Sequence, residues 1–168
     1  MIDVTNFHPM IVHFPIALLI AGFGFDVAGL FINRDTFTKV GLYLLLIGAI
    51  GTIAALLSGE AAGEGVAEQG PLKIALERHE SAAEATVWLA AVTASLRVFL
   101  VLIKKYKGYF KAGIVALYFA SVVAVGLTGH YGGKLVYENA AGVKLNLGVD
   151  FGAADWNAVP QENEQDDD

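Results

Sequence analysis

Four long apolar runs, at about 10–32, 40–58, 82–103 and 112–131, constrain this chain more than any motif in it. Each approaches or exceeds the roughly 18–20 residues a helix needs to cross a hydrocarbon core. Within lipid there is no water to satisfy backbone polar groups, so a spanning segment must pair its own N–H and C=O groups. Helices of this length do so, and buried strands are not favoured. Composition agrees: 55% of the 168 residues are hydrophobic and 17% charged, with a mean hydropathy of +0.56. Soluble domains average about 45–50% and 25%. The expected fold is an all-α integral membrane four-helix bundle, a multi-pass protein whose first partner is the lipid bilayer.

Residues 1–147 are expected to form this four-span transmembrane domain, and 148–168 an acidic C-terminal tail that is partly disordered. Five of the 17 acidic residues lie at the chain end, so the net charge of −6 says little about the bundle. The first run does not read as a cleaved signal peptide, because it lacks a basic leader, is too long and is interrupted by Asp26.

Orientation follows from lysine and arginine in short loops. Arg34 and Lys39 lie between the first two runs, and Lys104, Lys105, Lys107 and Lys111 between the last two. These loops are read as cytoplasmic, which puts both termini and the 59–81 loop on the outer, periplasmic side of a bacterial inner (cytoplasmic) membrane. Gly70-Pro71 signals a helix start well before the third apolar run, with proline in the first turn. A helix from there to Lys104 is roughly 51 Å long, so the third helix should extend beyond the membrane. The paired Gly132 and Gly133 are expected to turn the chain at the surface, and the segment through Leu147 to lie over the helix ends.

The four histidines fall at one face under this topology. His8 and His13 open the first span, His79 precedes the third and His130 closes the fourth. Imidazole is a common ligand of haem iron, zinc and copper, and facing helices of a bundle are natural places for such sites. The candidate haem ligands are His13, His79 and His130, with His8 a fourth. Tyr131, Phe14 and Trp88 are candidate walls for a macrocycle. Glu60 and Glu80 lie near these histidines in sequence and, with them, offer an alternative copper or zinc donor set. A carboxylate beside a ligating histidine can also fix its tautomer.

Asp26 and Arg97 stand apart. Each interrupts an apolar run roughly 9 Å from its cytoplasmic edge, where a charge is costly and usually faces a partner. Equal depth makes them a candidate structural ion pair.

Several classes drop out. The absence of cysteine excludes disulfides, thiolate metal sites, iron–sulfur clusters and c-type haem attachment. No basic face suits nucleic acid. No serine–histidine–acid, P-loop or HExxH pattern occurs, so independent catalysis is not expected.

His8-Pro9-Met10-Ile11-Val12-His13-Phe14-Pro15-Ile16-Ala17-Leu18 resembles the opening of the bacterial membrane proteins grouped as domain of unknown function 2231. Thr128-Gly129-His130-Tyr131-Gly132-Gly133-Lys134-Leu135-Val136-Tyr137 resembles their closing signature, and His79-Glu80 also fits. The resemblance covers about 5–145. Its members commonly carry a further histidine and glycine where this chain has Asn139 and Ala140. The resemblance implies a four-span bundle and leans toward cytochrome or Rieske-type electron-transfer neighbours. The leading expectation is a membrane electron-transfer subunit binding b-type haem through the outer histidines, with a periplasmic cytochrome, quinone or larger respiratory-type complex as partner. A copper or zinc protein using the same side chains, and a non-catalytic scaffold subunit, are the alternatives.

Overall fold

The computed structural model describes residues 8–32, 34–63, 70–138 and 141. Four helices account for nearly all of them: α1 (His8–Phe31), α2 (Asp35–Gly63), α3 (Pro71–Leu102) and α4 (Gly108–Tyr137). Each is long and apolar enough to cross a membrane, and no strand occurs among the described residues. The all-α membrane bundle expected from the run lengths is the observed fold.

Helix starts follow local chemistry. Pro71 occupies the first turn of α3, where a missing N–H costs nothing, and Gly70 before it has φ 90°. Gly108 opens α4 at φ 55°, a left-handed angle that suits glycine. Pro15 lies inside α1, buried and set against Gly51, where an added Cβ would fall 3.1 Å from the proline Cβ. At 32 residues, α3 is about 48 Å long, well beyond a hydrocarbon core of about 30 Å.

The helices run antiparallel in chain order, each against its neighbour, and α1 meets α4 along the sparsest seam. Leu19, Leu45, Ala90 and Tyr118 are fully buried at the centre. Large apolar side chains such as Phe14, Ile50, Trp88 and Leu102 point outward. On a soluble protein such a surface would be a liability; here it is the lipid contact. Without a hydrophobic drive between helices in lipid, association relies on small residues and interhelical hydrogen bonds. Gly48 admits Leu19. Thr86 meets Thr128 at 2.9 Å, and Thr93 meets Ser121 at 3.2 Å, across the α3/α4 seam.

Two expectations are corrected. Gly132 and Gly133 do not turn the chain, because α4 continues through Tyr137. Glycine costs a helix only about 1 kcal/mol per residue, and at Gly132 the missing Cβ makes room for the His79 ring of α3. Likewise α2 runs on to Gly63, so Glu60 stands on a helix and not in a loop. The end of an apolar run marks the end of lipid contact, not of backbone hydrogen bonding. The 142–147 segment and the 148–168 tail lie outside the described residues.

Candidate functional site

Chain order brings the start of α1, the end of α2, the start of α3 and the end of α4 to one end of the bundle. All four histidines are there. The structure separates them into two pairs.

His8 and His79 are half-buried. The His8 Nδ1 lies 2.9 Å from Ser58 Oγ on α2. Ser58 spends its own proton on the Ala55 carbonyl at 2.9 Å, so its oxygen accepts and His8 Nδ1–H donates. Gly59 gives the ring its place, since an added Cβ would fall 2.9 Å from His8 Cε1. His79 Nδ1 lies 3.1 Å from the Thr128 carbonyl of α4. A carbonyl only accepts, so this Nδ1 also carries the proton. Gly132 is its counterpart of Gly59, with an added Cβ 3.1 Å from His79 Cε1. In the neutral tautomers so assigned, Nε2 of each ring keeps its lone pair, and the Ala55 backbone adds a second contact to the His8 ring. The two imidazoles are close enough for their charges to interact. Each hairpin thus contributes one ring, held by its own partner helix.

His13 and His130 are exposed. His13 Nδ1 donates to the Pro9 carbonyl one turn back, and His130 lies beside Tyr131, ring centroids 5.7 Å apart. Phe14 and Trp88 are 60% and 70% exposed, which sets them toward lipid. Glu60 and Glu80, with Glu84, Leu56 and Gly63, line a cavity of about 400 Å³ between α2 and α3. Among the described residues no group of three or more histidine or carboxylate side chains is assembled to hold a metal ion. His8 and His79 are two imidazoles at this end, each anchored through Nδ1 to a neighbouring helix.

The opposite end holds Asp26 and Arg97, both fully buried. Arg97 Nη1 and Nη2 donate to the two carboxylate oxygens, the latter at 2.6 Å, and Nη2 also donates to the Thr38 carbonyl at 2.8 Å. Tyr106, in the segment joining α3 to α4, places its ring 5.0 Å from the guanidinium carbon. Burial pushes its phenol up to about 12, with Arg97 opposing that shift and Asp26 adding to it. Lys111 Nζ donates to the Gly29 carbonyl at 3.0 Å, next to the same centre. Two glycines make the pair possible. A Cβ on Gly41 would collide with the Asp26 carboxylate, and one on Gly22 with the Tyr118 hydroxyl.

Sequence reasoning did not single out Ser58, Thr38, Tyr106, Tyr118 or Gly41. A signal existed for Gly41. Gly22 and Gly29 are seven residues apart, as are Gly41 and Gly48, which places each pair on one helix face.

The model of a family described as a predicted membrane protein, domain of unknown function 2231, matches residues 4–145. No curated protein and no solved structure matches the chain.

Proposed function

The chain belongs to the domain of unknown function 2231 family, and from that premise we propose that it is a redox subunit holding a b-type haem through His8 and His79. One observation carries the reading: both rings are fixed through Nδ1–H, by Ser58 and by the Thr128 carbonyl, so the lone pair of each neutral ring is on Nε2. Metal-ligating histidines generally donate their other ring N–H in this way, which fixes tautomer and ring orientation. A bound haem iron would supply one-electron chemistry, held by His8 and His79, at a potential set by its ligands, burial and nearby charge. Ser58 and Thr128 orient the ligands, and Gly59 and Gly132 admit the rings. Glu60, Glu80 and Glu84 add negative charge near the same end, which favours the oxidised, more positive state of a redox centre.

With Arg34, Lys39, Lys104, Lys105, Lys107 and Lys111 at the opposite end, the lysine and arginine bias directs the histidine end to the periplasm of an inner membrane. The natural partner there is a periplasmic cytochrome, a quinone or a larger respiratory-type complex. The copper or zinc alternative has less support, since His13 and His130 are exposed where His8 and His79 are half-buried, and no three-ligand group is assembled among the described residues.

The test is an absorption spectrum of detergent-purified protein, oxidised and dithionite-reduced, with a pyridine haemochrome assay and metal analysis on the same sample. A reduced b-type α-band is expected. Haem-free protein from cells with ample haem supply would overturn the reading, and stoichiometric copper or zinc would replace it with the metal one.

A further inference from the structure

The ion-pair end has more hydrogen-bond donors than acceptors. Arginine carries five N–H donors. Asp26 and the Thr38 carbonyl accept from Nη1 and Nη2, and no described group accepts from Arg97 Nε. The hydroxyls of Tyr118 and Tyr106 are buried and without a partner as well. Arg97 and Tyr118 are both 0% exposed. The three atoms belong to one neighbourhood, since both phenols lie within electrostatic reach of both Asp26 and Arg97. Tyr118 is aimed at the α1/α2 crossing, where Gly22 makes way for its hydroxyl and Gly41 for the Asp26 carboxylate.

Every unpartnered atom here can donate, and the Asp26 oxygens already accept from Arg97. What completes such a centre is an acceptor. The Tyr118 hydroxyl and the Asp26 carboxylate pack closely against Gly22 and Gly41, and buried polar groups of this kind are commonly met by ordered water.

We propose that the ion-pair end binds a water-sized hydrogen-bond acceptor against the Tyr118 hydroxyl and Arg97 Nε. Water satisfies this chemistry. So does a halide, because Arg97 and Lys111 together outnumber the single Asp26 charge beside them. The site is independent of haem binding at the other end.

Thermal unfolding of the full chain in detergent tests it, comparing wild type, Tyr118→Phe and Tyr109→Phe in chloride and in gluconate at equal ionic strength. Tyr109 is 97% exposed and sets the baseline. If the hydroxyl is bonded to a ligand, Tyr118→Phe lowers Tm by about 2–4 °C. An equal loss in both salts assigns water. A wild-type Tm that is higher in chloride, with the difference abolished in Tyr118→Phe, assigns a halide. An unchanged or raised Tm in Tyr118→Phe overturns the proposal, because removing an unsatisfied hydroxyl relieves the fold. Radiolytic hydroxyl labelling of wild type is the second readout, should that variant fail to fold. Oxidation of Tyr118 requires water beside this buried ring; protection together with no chloride effect also overturns the proposal.

Discussion

The two ends of this bundle handle polar groups in opposite ways. At the histidine end, His8 and His79 are half-buried, and each uses Nδ1 to grip the neighbouring helix. At the ion-pair end, Asp26 and Arg97 turn inward on each other and are fully buried. An imidazole anchored through one nitrogen can take a ligand on the other at little cost in reorganisation. A bidentate buried pair cannot give up a partner without leaving a bare charge in a low-dielectric interior. The ion pair locks α1 to α3, helices that are diagonal in the ring, and so holds that end of the bundle together.

The largest effect expected from breaking this contrast is at the closed end. Arg97→Met leaves the Asp26 carboxylate buried and unpaired, a loss of about 3–5 kcal/mol, read as a steep drop in Tm or in the yield of monodisperse protein. Adding Asp26→Leu to it should restore much of the loss, since an apolar pair of similar volume often replaces a buried ion pair without penalty. His79→Ala should leave Tm far less changed than Arg97→Met. Equal losses at both ends would erase the distinction.

A smaller effect separates glycines by what they face. Gly41→Ala drives a methyl into the Asp26 carboxylate and Gly22→Ala drives one into the Tyr118 hydroxyl, each costing about 1–3 kcal/mol as overpacking does elsewhere. Gly126→Ala meets nothing within 4 Å and should be neutral or stabilising by up to about 1 kcal/mol, from helix propensity alone. Thermal unfolding of the three variants orders them.

Much of the fold was legible, because run length and lipid physics leave few options for a chain with four apolar segments. The depth of Asp26 and Arg97 was legible too, being a count of residues along a helix. Which of His8 and His13 points inward was not. That choice depends on how α1 rotates against α2, and the rotation is set by Pro15 on Gly51 and Leu19 on Gly48, contacts between residues far apart in sequence. The ends of α2 and α4 were hidden because hydropathy reports lipid contact while helices continue into polar Glu60 and glycine-rich Gly132-Gly133. Tyr118 looked like any aromatic residue in an apolar span.

The smallest effect concerns pH. Tyr106 has its phenol pushed up to about 12 by burial beside Arg97 and Asp26, whereas in the unfolded chain it titrates near 10. From pH 10 to 12 the unfolded state therefore loses this proton first, so stability falls as pH rises through that window. Tyr106→Phe should flatten the fall in a series of unfolding curves from pH 9 to 12. An unchanged slope would place Tyr106 outside the closed centre.

Haem content across the four histidines tests the account most directly. Pyridine haemochrome per chain is measured for His8→Ala, His79→Ala, His13→Ala and His130→Ala, each purified as folded protein. The account predicts that His8→Ala and His79→Ala lose the b-type signal while His13→Ala and His130→Ala keep it. Loss in His13→Ala or His130→Ala with retention in His79→Ala would contradict it, and would move the site from the anchored pair to the exposed rings.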